Sequence, residues 1–223
     1  MQVTVDANSY FVFDLDDTLF YEIDYLKSAY RHIAKALAAH TGIDLYDEML
    51  ARFYKSENVF EWLLNNLHFP AEISKGWLLQ QYRGHLPDIT LQAAVKAFLG
   101  ELKQHQIPIG LITDGRSITQ RNKLKALGIE QDFTDIIISE EFGSQKPDER
   151  NYLFFEKKYS GKNFYFFGDN TGKDFIVPAK LGWASFCIKN NGTHIHLQEL
   201  SRLHDQCHVI SSFAEIHLNY INQ

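Results

Sequence analysis

Cysteine is scarce in this chain: Cys187 and Cys207 are the two among 223 residues. Two cysteines cannot build a disulfide framework or a CxxC zinc site, and they fit a reducing compartment. Long hydrophobic runs are missing as well, because charges interrupt even the local maxima, which excludes a membrane-spanning helix. The opening residues Met1-Gln2-Val3-Thr4-Val5-Asp6 have neither the basic stretch nor the apolar run of a secretory signal. Basic excess is absent too. Twenty-two Lys and Arg face 28 Asp and Glu, a net charge of −6, so no clustered basic face for nucleic acid is expected. There is no internal repeat and no low-complexity linker. These absences leave a soluble, cytoplasmic protein with no membrane or nucleic-acid partner as the expectation. What is present is material for a core. With 45% hydrophobic residues, 17 of the residues Phe, and 22% charged, wholesale disorder is excluded. The length suits one moderate domain, or a core with a small second domain inserted.

The apolar run Tyr10-Phe11-Val12-Phe13 reads as a buried strand ending in acids. Helical texture follows. From about 24 to 40, Leu26, Ala29, Tyr30, Ile33, Ala34, Leu37 and Ala38 recur at helical spacing, and further helices are expected at about 46–55, 59–67 and 73–84. Then helix and strand alternate. A helix is expected at 91–104 and a strand from Ile107 through Ile112, leading to Thr113-Asp114-Gly115. The next helix starts at an N-capping Ser117 and ends near Gly128. Ile136-Ile137-Ile138 is a strand, and Pro147 is expected to open a helix reaching about Tyr159. Phe164-Tyr165-Phe166-Phe167 is a strand ending in Gly168-Asp169-Asn170. After one more helix come strands at 184–188 and near His208-Val209-Ile210. Continuous apolar strands separated by helices indicate a doubly wound parallel α/β sheet covered on both faces. The expected division is a Rossmann-like core of residues 1–18 and 88–223, with an all-helical cap of residues 19–87 inserted after its first strand.

Ligands of parallel α/β sheets bind at the carboxyl ends of the strands. The first strand delivers Asp14, Asp16, Asp17 and Thr18, and the second Thr113, Asp114 and Gly115. The third leads through Glu140 and Glu141 to Lys146-Pro147-Asp148, and the fourth delivers Gly168, Asp169, Asn170 and Asp174. Clustered carboxylates repel unless a cation holds them, and hard oxygen ligands suit Mg²⁺. Mg²⁺, a lysine, a hydroxyl and free backbone N–H groups together neutralise a phosphoryl group. Asp14 and Asp16 stand two apart just past a strand. One can attack phosphorus while the other handles the proton of the leaving group.

Phe13-Asp14-Leu15-Asp16-Asp17-Thr18-Leu19 resembles the first motif, DxDxT, of the haloacid-dehalogenase-like (HAD) hydrolases. Thr113 matches their second motif, Lys146 in its KPD context the third, and Gly168-Asp169 with Asp174 the fourth. The resemblance runs the length of the chain in the right order. Thr113-Asp114-Gly115 with Gln120, Lys123 and Leu124, and Glu140-Glu141 ahead of Lys146, resemble the phosphatase subgroup with a helical (C1-type) cap. By that resemblance Asp14 is the nucleophile that forms an aspartyl-phosphate, and Asp16 the general acid and later the base. Thr113 and Lys146 bind the phosphoryl group. Asp14, the Asp16 carbonyl and Asp169 hold Mg²⁺, and Asp174 either supports the metal through water or orients Lys146. Asp114 departs from the pattern, since many close relatives carry Asn there, and it adds negative charge near the phosphate. The implied activity is a Mg²⁺-dependent phosphatase acting on a small phosphomonoester, a sugar phosphate or a nucleotide. The alternatives are a phosphosugar mutase and a non-catalytic module that binds a phosphorylated ligand.

Other residues read more plainly. Asp17 fits a turn and capping residue. His194-Ile195-His196, with His204 and His208, sits in a polar, flexible stretch without zinc spacing, so no metal role is expected. Tyr30, Phe53, Phe60, Trp62 and Trp77 fit helix packing. Phe20, Tyr21 and Glu22 follow the first motif directly and are candidates for substrate contact, as are Asp114 and Gly115. Arg116 is the candidate for a second anionic group of the substrate. Lys55 and Arg83 fit a solvated face.

Overall fold

A computed structural model of the protein describes residues 1–221. The strands β1 (Gln2–Val5) and β2 (Ser9–Phe13) open the chain, and β2 is buried along its whole length. Successive side chains of a strand point to opposite faces, and here both faces are covered. Phe11 and Phe13 pack with Phe98, Leu111, Phe167 and Phe213 on one side. Tyr10 and Val12 pack with Tyr152, Phe155, Phe166 and Trp183 on the other. Each such buried aromatic or aliphatic side chain contributes about 1.5–3 kcal/mol relative to exposure.

Four helices follow β2: α1 (Glu22–Thr41), α2 (Tyr46–Tyr54), α3 (Val59–Asn66) and α4 (Lys75–Gly84). They enclose an apolar cluster of their own, including Leu26, Ile33, Leu37, Met49, Leu63 and Leu78, with Phe53, Phe60, Trp62 and Trp77 packed against it. Acidic Glu22 and Asp24 lie in the first turn of α1, where they favour the helix dipole, and Gly42 closes the helix at φ 70°. The aromatic residues of these helices are packing residues, as their spacing implied.

The alternation then resumes with α5 (Ala93–Gln104), β3 (Ile109–Thr113), α6 (Ser117–Leu127), β4 (Asp135–Ile138), α7 (Ser139–Phe142) and α8 (Glu149–Lys158). It closes with β5 (Asn163–Gly168), α9 (Ile176–Leu181), β6 (Ala184–Ile188), β7 (Cys207–Ile210) and β8 (His217–Tyr220). Six strands form one all-parallel sheet in the order β4-β3-β2-β5-β6-β7. The chain leaves β2 toward β3 and β4, then returns to build β5 on the other side of β2. A crevice therefore opens at the carboxyl end of β2, between the ends of β3 and β5. Phe13 is in register with Leu111 on one neighbour and with Phe167 on the other.

Three local expectations need correction. Ser117 is the first residue of α6 and not its cap; its N–H donates to Glu140 Oε2 at 2.7 Å, so a carboxylate from α7 satisfies the helix end. Pro147 precedes α8 by two residues, and Asp148 is the cap, its side chain accepting from the Arg150 N–H at 2.9 Å. β1 and β8 were not anticipated. They pair in parallel as a separate two-stranded sheet, burying Val3 and Val5, and short strands so far apart in sequence carry no local signal of their pairing.

Among the described residues, no helix is long and apolar enough to cross a membrane.

Candidate active site

Asp14 is the first residue beyond β2, and its N–H donates to the Phe167 carbonyl at 2.8 Å, pinning it at the strand end. Lys146 Nζ lies 2.7 Å from Asp14 Oδ1 and 2.8 Å from Asp174 Oδ1, with none of its side chain exposed. Asp174 Oδ2 accepts the N–H groups of Asp169 and Asn170 at 3.2 and 2.9 Å. Both oxygens of Asp174 are thus engaged, one with Lys146 and one with the turn that carries Asp169. A side chain at position 168 would collide here, because a Cβ on Gly168 would stand 2.6 Å from Asp174 Oδ2.

Asp16 faces α6. Its Oδ1 is 2.6 Å from Lys123 Nζ, and its Oδ2 accepts from Gln120 Nε2 at 2.9 Å. The same Gln120 nitrogen donates to Thr113 Oγ1 at 2.6 Å. With its oxygen accepting, the Thr113 hydroxyl has its hydrogen left to give. Gln120 and Lys123 therefore lock Asp16 and Thr113 into one arrangement.

Asp17 behaves as a turn residue. It adopts φ 53°, its Oδ1 accepts the Glu22 N–H at 2.9 Å and its Oδ2 the Ile195 N–H at 3.0 Å.

Asp114 does face the site. Its Oδ1 accepts the Lys146 N–H at 3.0 Å, and its Oδ2 lies 2.8 Å from Lys173 Nζ. Gly115 N–H donates to Ser139 Oγ at 2.9 Å. Arg116 pairs with Glu140 at 2.5 Å and lines a neighbouring cavity of about 620 Å³ that also touches Asp114. Tyr21 does not line the cavity at the strand ends; it packs against the apolar cluster of α1–α4, and its hydroxyl accepts from Asn191 Nδ2 at 3.1 Å.

Asp14, Asp16, Asp17, Glu22, Thr113, Asp114, Asp169, Asn170, Lys173 and His196 line a cavity of about 80 Å³. Two of these were missed. Lys173 was not singled out from the sequence, because nothing in the spacing of Gly168 through Asp174 says which way a turn residue points. His196 belongs to the loop between β6 and β7, which was set aside as polar and flexible. The structure lays this loop over the site: Gln198 Nε2 donates to the Asp169 carbonyl at 2.6 Å, and His194 Nδ1 stands 3.5 Å from Asp169 Oδ2.

The electrostatics are those of an acid-rich pocket. Burial pushes the Asp14 carboxyl well above the ordinary carboxylate range, with Lys146 opposing and Asp174 and Asp169 adding to the rise. Burial likewise raises Asp169, against the influence of His194. Burial draws the Lys146 ammonium down, but Asp14 and Asp174 more than offset this and hold it charged. Glu22 is pushed up to about 8, by burial first and then by Asp16.

Oxygens of Asp14, Asp169 and Asp174 come within 4.8 Å of one another, and Asp169 Oδ2 is buried with no hydrogen bond from the described residues, His194 Nδ1 standing off at 3.5 Å. Raised carboxyls and an unpartnered oxygen are what a hard divalent cation would satisfy, so the residues fit Mg²⁺ through Asp14 and Asp169. The other triplet, Asp17, Asp169 and His194, fits less well, since both Asp17 oxygens already accept backbone N–H groups.

Residues 11–188 match the sequence pattern of the family described as haloacid dehalogenase-like hydrolase. A glyceraldehyde 3-phosphate phosphatase of Methanocaldococcus jannaschii is 31% identical over 182 residues, covering 76% of this chain and 79% of that protein. A protein of the same description from Methanopyrus kandleri is 29% identical over 200 residues, covering 80% and 82%. Among solved structures, the Bacillus subtilis HAD-hydrolase YfnB bound to magnesium superposes with a TM-score of 0.66 at 20% identity, covering 93% of this chain and 96% of the other. A HAD phosphatase from Thermococcus onnurineus superposes at 0.59 with 19% identity, covering 93% and 95%.

Proposed function

Since the chain belongs to the haloacid dehalogenase-like hydrolases, we propose that it is a phosphatase of that family which hydrolyses a small sugar phosphate through an aspartyl-phosphate on Asp14, with Mg²⁺ in the site. The observation that carries this reading is the Asp14–Lys146–Asp174 chain beside an Asp16 held by Gln120 and Lys123. It sets one carboxylate against a buried cation and fixes a second one two residues on in the same loop, and the kinship with two glyceraldehyde 3-phosphate phosphatases directs the choice of substrate to a short sugar phosphate.

In the first step an Asp14 oxygen bonds to phosphorus while the bond from phosphorus to the leaving oxygen breaks, and Asp16 gives that oxygen its proton. In the second step Asp16 takes a proton from water as the water attacks phosphorus, and the bond from Asp14 to phosphorus breaks. Inorganic phosphate is released and both carboxyl groups return to their starting state. Thr113 donates its hydroxyl hydrogen to a phosphoryl oxygen, and Lys146 balances charge on Asp14. Mg²⁺ held by Asp14, Asp169 and the Asp16 carbonyl would neutralise phosphoryl charge as it moves.

Residues 19–87, which contain helices α1–α4, act in this reading as a cap over the crevice, excluding bulky phosphoproteins and admitting small molecules. Arg116, in the neighbouring cavity, and Tyr21, directly after the first motif, contact the part of the substrate beyond the phosphate.

The test is phosphate release from a panel of three- to six-carbon sugar phosphates and nucleotides with Mg²⁺ present, scored by kcat/KM. Glyceraldehyde 3-phosphate or another short sugar phosphate is expected to lead. Preference for nucleotides would overturn the substrate assignment, and no release from any ester would overturn the activity.

A further inference from the structure

Six carboxylates line the 80 Å³ cavity, those of Asp14, Asp16, Asp17, Glu22, Asp114 and Asp169, and one ammonium does, that of Lys173. The other nearby lysines are turned away. Lys146 is spent on Asp14 and Asp174 with its side chain wholly buried. Lys123 is spent on Asp16, 4% exposed, with its Nζ 4.3 Å from the centroid of the Tyr25 ring. Among the described residues an entering dianion therefore meets Lys173 as the ammonium of the cavity wall, while the His196 imidazole in the same wall lies 3.6 Å from Glu22. Lys173 is also held in place. Asp114 Oδ2 lies 2.8 Å from its Nζ, and the other Asp114 oxygen accepts the Lys146 N–H, so the carboxylate is anchored on both sides. An ammonium has three hydrogens; one is directed to Asp114, which leaves two for oxygens in the cavity. The side chain is one-third exposed, open to a ligand yet screened enough to matter.

We propose that Lys173 binds the phosphoryl group of the substrate and that Asp114 is the positioning residue that holds its ammonium at the cavity wall. The proposal rests on the reading of this cavity as a phosphomonoester site, and it gives the acid at position 114 a use. Asp114 is the partner that aims this lysine, and with Lys173 present its charge does not face the phosphate alone. An exposed ion pair with no role in binding would change phosphate affinity little when broken.

Inorganic phosphate is the probe, titrated by calorimetry into the full chain with Mg²⁺ present. K173M is expected to weaken phosphate binding by about 10–100-fold, the loss typical of one charge-assisted hydrogen bond. K173R, which keeps the charge, should bind within about threefold of the parent. In a D114N background, K173M should cost several-fold less than in the parent, because no orphaned carboxylate is then left facing the dianion. Melting temperatures close to the parent's would show that the fold is intact, and K173Q replaces K173M if that variant does not fold. Binding by K173M within about twofold of the parent overturns the proposal, and so does K173R failing as badly as K173M. Failure of the parent itself to bind phosphate overturns it together with the phosphatase reading. Phosphate bound by the parent without turnover of any ester sinks that reading alone, whereas turnover with an unaffected K173M sinks only the role of Lys173.

Discussion

Lys123 Nζ, on α6, sits 2.6 Å from Asp16 Oδ1, so the second carboxylate of the first motif is held by a helix that begins about 100 residues later in the chain. This pairing gives Asp16 a fixed place apart from Asp14, and the two can be separated by experiment. Asp14→Asn removes the attacking oxygen, and no covalent intermediate should form. Asp16→Asn keeps the nucleophile but loses the proton donor and later base. With a sugar phosphate both variants should lose at least about 100-fold in kcat. With p-nitrophenyl phosphate, whose leaving group needs no proton, Asp16→Asn should show a burst and accumulate a phosphate adduct that hydroxylamine removes. Mass spectrometry checks this, and an adduct on Asp14→Asn would refute the assignment.

Metal removal is the second prediction. Asp14 and Asp169 offer hard oxygens to the cation, so Mg²⁺ should support turnover and excess EDTA should abolish it. Ca²⁺ should inhibit, because its looser coordination spoils in-line geometry. Full activity in EDTA would be incompatible with the site described.

Glu22 makes a prediction about pH and stability. Its carboxyl rises from an ordinary 4.5 to about 8 in the fold, through burial and the nearby Asp16. Between those values the folded chain binds more protons than the unfolded one, so this group lowers stability as pH rises through the window. In EDTA, Glu22→Gln should match the parent near pH 4 and exceed it at pH 8 by on the order of 2 kcal/mol, a figure discounted for partial exposure. Denaturant unfolding at several pH values checks the trend; a difference that does not vary with pH would contradict it.

Two glycines separate packing from chemistry. A Cβ on Gly110 would stand 2.4 Å from Phe155 Cε1, and one on Gly168 would stand 2.6 Å from Asp174 Oδ2. Gly110→Ala should cost about 1–3 kcal/mol of stability and leave kcat/KM nearly unchanged below the melting temperature. Gly168→Ala displaces Asp174 and with it Lys146, so kcat/KM should fall by about 100-fold or more. Steady-state kinetics and thermal melts on the same preparations distinguish the two.

Much of the framework was legible because its causes are local. Apolar runs with no alternation gave the parallel strands, and helical spacing gave α1–α4. The acids after each strand pointed to a crevice because strand ends in such sheets converge. Asp148 and Glu140 show where local reading stopped. Asp148, rather than Pro147, caps α8, and the end of α6 is satisfied by a carboxylate from another helix. The pairing of β1 with β8 joins the two extremes of the described chain, which no window of neighbouring residues contains.

The sequence by itself determined the layered α/β architecture, the all-helical segment after β2 and the set of acids, hydroxyl and lysine at the strand ends, because burial and hydrogen-bond demands act over a few residues. Tertiary structure decided how those groups are used. It turned Asp174 onto Lys146, placed Gln120 and Lys123 on Asp16, brought His194 and His196 over the site, and set Lys173 against Asp114. A side chain's partner depends on the direction its turn takes in space and on what other elements deliver there, and that information is spread over the whole fold.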